Sequence, residues 1–221
     1  MKTKAVVLLS GGLDSAVTLY FARDKGYDCR CLNFDYGQRH DVEISMAKKL
    51  AQLAGADLRT QKLDLSWGGS SLIDKKDTLP SDRTPDEIKR SGIPSTYVPA
   101  RNTVFLSIAA SYAEAIRADA VFIGAHAEDS SGYPDCRKSY LEAFDRVIQI
   151  GTKRAIEQNL RLKFPLIDMK KSEIIKLGVS LAVPFQYTWS CYSGGARPCG
   201  RCDSCILRAK GFMEAGMEDT I

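Results

Sequence analysis

The chain has 221 residues, with 31 Lys and Arg against 27 Asp and Glu and a formal net charge of +4. At 44% hydrophobic and 26% charged, it can bury the full core of one large α/β domain, or of one domain with an appendage. The mild basic excess suits small anions but lacks the concentrated basic stripe of a nucleic-acid binder, and no apolar stretch reaches membrane-spanning length.

Lys2 and Lys4 ahead of residues 5–9 imitate a signal peptide, but the apolar run is too short and leads into a glycine turn, so a cytoplasmic chain is expected. That run, Ala5-Val6-Val7-Leu8-Leu9, reads as a buried strand, and helical patterning begins near Ala16. A strand over 28–34, a helix over about 40–54 and a strand over 57–65 follow. The polar stretch 66–94 is long for a structureless loop, so it is expected to be a functional lid or to hold a short helix near 86–90. Asn102 is the expected N-cap of a helix whose apolar stripe is Phe105, Ile108, Ala109, Tyr112, Ala113 and Ile116. A strand over 119–123 and a helix over 137–151 come next. Alternating strands and helices predict a doubly wound, mainly parallel α/β sheet. The expected division is an α/β domain over 1–185 and a C-terminal metal-knuckle and helix subdomain over 186–221.

In such sheets ligands sit beyond the carboxyl ends of the strands. The loops that leave the strands near residues 10–15, 35–40 and 124–137 are rich in glycine and polar residues, and a shared site there outweighs the plainer reading of three solvated loops. The first, Ser10-Gly11-Gly12-Leu13-Asp14-Ser15, joins a strand to a helix N-terminus and aims several amide groups at one point, an anion cradle. It is no Walker loop, since no lysine occurs before Lys25, and no dinucleotide fingerprint, since the spaced glycines are absent.

Seven cysteines in a chain with no secretory leader point to metal rather than disulfides, because four of them cluster. Cys191, Cys199, Cys202 and Cys205 supply enough thiolates for a closed tetrahedral zinc site, with Gly200 at the knuckle turn and Pro198 stiffening its entry. An iron–sulfur cluster is the weaker reading, since the fourth ligand lies upstream of the C-x2-C-x2-C run.

The hexapeptide at 10–15 resembles the PP-loop of the ATP pyrophosphatases, which hold the β,γ-pyrophosphate while a substrate oxygen attacks the α-phosphate. Four further stretches, Phe34-Asp35-Tyr36-Gly37-Gln38-Arg39-His40, Thr96-Tyr97-Val98-Pro99-Ala100-Arg101-Asn102, Asp129-Ser130-Ser131-Gly132-Tyr133-Pro134-Asp135-Cys136-Arg137 and Trp189-Ser190-Cys191-Tyr192, resemble the 7-cyano-7-deazaguanine synthase family within that group. So does Pro198-Cys199-Gly200-Arg201-Cys202-Asp203-Ser204-Cys205, and the matches run in order from Ser10 to Phe212. One stretch departs: Ala125-His126-Ala127-Glu128 stands where an Asn-Ala-Val-like run is expected.

The resemblance implies an adenine nucleotide alpha hydrolase-like, Rossmann-like fold with a small zinc-binding subdomain. It also implies ATP-dependent conversion of 7-carboxy-7-deazaguanine and ammonia to the nitrile, through adenylated carboxylate and amide intermediates, by a homodimer. The implied ATP site is Leu9, Ser10, Gly11, Gly12, Leu13, Asp14, Ser15, Ala16, Val17, Thr18 and Leu19, with Asp14 helping to place Mg²⁺. The implied substrate site is Tyr36, Gln38, Arg101, Asp129, Tyr133, Asp135 and Arg137. Asp129 or Asp135 suits the donor edge of a guanine-like base, and Arg101 or Arg137 suits a carboxylate or its adenylate. Asp14, Arg101 and Lys170 are the candidate catalytic residues; Lys170 and Lys171 begin a helix where related enzymes place a phosphate-binding lysine. His126 has a candidate role near ammonia or the leaving group. The competing readings are a PP-loop enzyme that thiolates or amidates a tRNA base, and a non-catalytic zinc-knuckle regulator.

Overall fold

The computed structural model describes residues 3–128 and 132–221. Five strands, β1 (Lys4–Leu8), β2 (Asp28–Asp35), β3 (Asp57–Lys62), β4 (Ala120–Phe122) and β5 (Arg161–Lys163), form one sheet in the order β3-β2-β1-β4-β5. Every neighbouring pair is parallel. The chain therefore winds outward from β1 through β2 to β3, returns across β1 to β4, and winds outward again to β5. The reversal lies between β1 and β4, where the carboxyl ends of an open sheet leave a crevice.

Helices cover both faces. The helices α1 (Leu13–Asp24), α2 (Val42–Leu53), α7 (Lys171–Ser180) and α8 (Asp203–Ala215) pack on one; α4 (Arg101–Ala115) and α5 (Lys138–Gly151) pack on the other. Pleating explains how the central strand serves both layers: Ala5, Val7 and Leu9 enter the first core, while Val6 and Leu8 enter the second. The short helix α6 (Lys153–Gln158) leads into β5.

Several expected boundaries shift. The third strand ends at Lys62, because the chain turns at Asp64, whose carboxylate accepts the Ser66 amide. Asn102 does not cap α4. The N-cap is Ala100, held left-handed at φ 51°, and Asn102 sits inside the first turn. The 66–94 stretch contains the helix α3 (Pro85–Arg90), started by a Thr84–Glu87 capping box. The Arg39 guanidinium gathers that stretch by donating to the carbonyls of Ser71, Asp74 and Asp77. Its far end is tied to the cysteine knuckle by Arg201 on Asp82 and by Arg83 on Asp203.

Two glycines bring the crevice walls together. Gly11 has φ +100°, and a Cβ there would lie 2.1 Å from the Glu43 carbonyl oxygen, so α2 rests directly on the loop after β1. A Cβ on Gly124, beyond β4, would meet the Asp14 carbonyl oxygen and Thr18 Oγ1, both at 2.9 Å. Gly124→Ala is therefore expected to push α1 off the sheet and lower stability by about 1–3 kcal/mol, read as a lower urea midpoint at unchanged slope.

Candidate active site

The loop between β1 and α1 is ordered by its own hydroxyls. Ser15 Oγ donates to the Gly12 carbonyl at 2.9 Å and accepts the Ser10 amide at 3.2 Å, and Ser10 Oγ accepts the Gly12 amide at 3.1 Å. This leaves the first turn of α1, whose amides have no intrahelical acceptors, open at the crevice. From the other end of the chain, Trp189 N donates to the Gly11 carbonyl at 2.9 Å.

A cleft of about 270 Å³ opens from this loop across the ends of β1, β2 and β4. Leu8, Leu32, Phe34, Phe105, Ile123 and Ala125 make an apolar slot, and Ser10, Gly12, Asp14 and Ser15, from the loop after β1, form its polar end. Arg101 stands in the cleft at the start of α4. Its hydrogen bond goes to the neutral Tyr36 hydroxyl at 3.3 Å, and its guanidinium lies over the Tyr36 and Phe105 rings, 5.7 Å from each centroid. No carboxylate makes an ion-pair contact with it among the described residues, so its donors are available to an anion. The left-handed Ala100 that aims it is anchored by Tyr97 Oη on the Ala100 amide and by Asp135 on the Asn102 amide.

Asp14 projects from α1 towards α7, and Lys171 Nζ lies 2.8 Å from each of its carboxylate oxygens. His126 Nε2 is 2.9 Å from the same nitrogen and 3.6 Å from Asp14. Its Nδ1 accepts the Glu128 amide at 3.2 Å. Burial by itself pushes the Asp14 carboxyl up, but the neighbouring groups, the Lys171 ammonium first among them by charge and hydrogen bond, outweigh it and hold the group below the ordinary carboxylate value. A smaller cavity of about 130 Å³ lies on the far side of this cluster, lined by Leu13, Lys171, His126, Ser190 and Arg208.

Of the residues expected in the site, Leu9, Ser10, Gly12, Asp14, Ser15, Tyr36, Gln38, Arg101 and Tyr133 line the main cleft. Gln38 also folds back on its own turn, accepting the Tyr36 amide and donating to the Phe34 carbonyl. The others are placed differently. The side chains of Ala16, Val17, Thr18 and Leu19 are fully buried in the core behind the loop. Asp135 is buried and is not among the residues that line the cleft; its carboxylate accepts the Asn102 amide at 2.9 Å and so helps to position α4. Arg137 is exposed at the N-cap of α5. Lys170 is exposed and serves as the N-cap of α7; one residue on, the helix turns Lys171 inward. Asp129 lies outside the described residues.

Two cleft residues escape sequence reasoning. Glu43, in the first turn of α2, reads as an ordinary helix-starting acid, and only the packing of α2 on Gly11 brings it into the cleft. Burial pushes its carboxyl up to about 7, against the opposing pull of the Arg101 charge. Asn33 is fully buried in β2, where its amide group donates to the Leu9 carbonyl at 2.8 Å and leaves Oδ1 without a partner in the cleft wall. The signal for it was a lone amide inside the apolar run of 31–34.

The sulfur atoms of Cys191, Cys199, Cys202 and Cys205 all lie within 4.8 Å of one another, and all four cysteines are free thiols. The amides of Arg201 and Cys202 donate to Cys199 Sγ at 3.4 and 3.3 Å, and that of Cys199 donates to Cys191 Sγ at 3.3 Å. Four convergent sulfurs with amide donors behind them fit a soft or borderline cation such as zinc.

A family model described as "Queuosine biosynthesis protein QueC" matches residues 4–216. The chain belongs to that family. The 7-cyano-7-deazaguanine synthase of Trichodesmium erythraeum (strain IMS101) is 52% identical over 221 residues, covering 99% of each chain. That of Thermoplasma acidophilum (strain ATCC 25905) is 48% identical over 223 residues, covering 100% of this chain and 92% of its own. Among solved structures, NMN synthetase from Francisella tularensis superposes with a TM-score of 0.52 at 16% identity, covering 98% of this chain and 78% of that one, a likeness of fold.

The Glu43 carboxyl yields a prediction about stability. A carboxyl whose folded pKa is raised keeps its proton while the unfolded chain releases it, so it lowers stability as pH climbs from its ordinary value to about 7 and adds no slope beyond. Glu43→Gln is expected to be more stable than the native chain at pH 8 by about 2 kcal/mol, the gain vanishing towards pH 4.5. Urea unfolding of both proteins across that range checks it.

Proposed function

We propose that this chain converts 7-carboxy-7-deazaguanine, ATP and ammonia into 7-cyano-7-deazaguanine, as the names of its relatives describe. The observation that carries the reading is the Arg101 guanidinium, in ion-pair contact with no carboxylate among the described residues and facing a phosphate loop across an apolar slot sized for a flat base. A carboxylate is a poor electrophile. Transfer of AMP to its oxygen makes a mixed anhydride, ammonia displaces AMP to give the amide, and activation of the amide oxygen permits dehydration to the nitrile.

Each step asks particular groups for help. Ser10, Gly12, Ser15 and the first turn of α1 hold the β,γ-phosphates as pyrophosphate departs. Lys171 transfers from Asp14 to the phosphates, adding a positive charge where the leaving group gains a negative one. Arg101 neutralises the substrate carboxylate on approach and the α-phosphate as charge builds there. Tyr36 and Phe105 flank the guanidinium and exclude water from that end of the slot. Asp14, freed by Lys171, is a hard oxygen donor suited to Mg²⁺. When bound, that ion supplies charge neutralisation along the triphosphate.

The four cysteines are read as the ligands of one structural zinc per chain, since protein sulfur fills all four positions. The same reading makes the enzyme a cytoplasmic homodimer acting on a free base, without nucleic acid. Exposed apolar side chains on α5 and α6, namely Val147, Ile150 and Ile156, support a partner copy there.

Native protein supplied with 7-carboxy-7-deazaguanine, ATP and ammonium is expected to form the nitrile with release of AMP and pyrophosphate. Lys171→Met is expected to lower turnover by about 100-fold or more, and Lys170→Met by less than about threefold. Equal losses in the two variants would contradict the assignment of Lys171, and no nitrile from the native protein would contradict the activity.

A further inference from the structure

Glu43 is the one acid in the main cleft that the steps above do not use. Its backbone is fixed, because the Glu43 carbonyl oxygen occupies the space that a Cβ on Gly11 would fill. The α2 backbone is therefore seated on the loop after β1, and Glu43 lines the cleft with Ser10, Gly12 and Arg101. Asp14 is held by Lys171, but no hydrogen bond or ion pair among the described residues engages the Glu43 carboxylate. A carboxylate withdrawn from water without a donor is costly, and a small cation bearing N–H groups relieves that cost. The reaction brings such a cation. At neutral pH ammonia is nearly all ammonium, whose lone pair is tied up in a bond to a proton.

We propose that Glu43 binds the incoming ammonium ion and takes one of its protons, delivering ammonia to the adenylated carboxylate. The assignment rests on the activity read above. The N–H electron pair returns to nitrogen as the proton passes to a Glu43 oxygen. That pair then forms the C–N bond at the acyl carbon, and the bond from carbon to the AMP oxygen breaks with its electrons leaving on AMP. A second proton, strongly acidic on the newly acylated nitrogen, goes to water, and Glu43 returns its own proton to solvent. Burial sets the Glu43 carboxyl at about 7, where both of its forms are populated at neutral pH. The titratable and charged groups that share the cleft with it are Arg101 from α4, Tyr36 from the turn after β2, Arg39 and His40 ahead of α2, Asp14 from α1, Tyr133 and Cys136 ahead of α5, and Tyr192 beside the first cysteine.

The test compares nucleophiles on native protein and Glu43→Gln. Pyrophosphate exchange into ATP, with 7-carboxy-7-deazaguanine and no ammonium, reads adenylation alone. Hydroxylamine, unprotonated at neutral pH, traps the acyl adenylate as a hydroxamate with no prior loss of a proton. The variant is expected to keep exchange and hydroxamate formation within about threefold, and to lose about 100-fold or more in the ammonium-dependent rate at pH 7. That loss should shrink as pH rises and free ammonia accumulates. Equal losses with hydroxylamine and ammonium, or a raised KM for magnesium-ATP in the exchange, would overturn the assignment and make Glu43 part of the nucleotide site. Native protein that shows no exchange would instead overturn the activity reading itself.

Discussion

The ion pair between Asp14 and Lys171 joins positions 157 residues apart and ties the first loop of the chain to its last third. Such a pair, three-quarters or more withdrawn from water on each side, is a poor source of stability, since desolvation offsets most of the attraction. Under the proposed function its geometry suits exchange rather than permanence: transfer of the lysine from the carboxylate to a phosphate costs little, because one negative partner replaces another. The fold goes to some length to place that lysine. A Cβ on Gly211 of α8 would lie 2.3 Å from Lys171 Cγ, so only glycine lets the stem pass between α7 and α8. His126, from the loop after β4, completes the cluster at 2.9 Å.

The cysteine knuckle belongs to the same construction. Trp189, two residues before the first ligand, donates to Gly11, and His40 packs where a side chain on Gly194 would stand. The knuckle also grips the long connection ahead of α4 through Ser81, Asp82 and Arg83. Metal-driven ordering of those loops would therefore set the walls of both cavities.

The parallel sheet, its strands and the glycine turn between β1 and α1 were legible because their signals are local: β-branched runs, glycines at turns, and apolar stripes at helical spacing. The cysteine cluster was legible for the same reason. What the sequence left undecided depended on tertiary contact. Neighbouring lysines at 170 and 171 are indistinguishable in one dimension, and helix phase alone sends one to solvent and the other to Asp14. Asp135 looks like a reader of a base edge, and nothing local shows that its carboxylate also accepts the Asn102 amide from a helix more than thirty residues upstream. Glu43 gains its role from a glycine in another element, and three-residue β5 is too short to give a periodic signal.

The proposed function turns on attack at the α-phosphate by a substrate carboxylate, with pyrophosphate as the leaving group. The most direct measurement is the fate of a heavy-oxygen label in both carboxylate oxygens of 7-carboxy-7-deazaguanine, followed by mass spectrometry after turnover with ATP and ammonium. One labelled oxygen is predicted in AMP and none in pyrophosphate. Label in phosphate or pyrophosphate, or AMP free of it, would contradict the account.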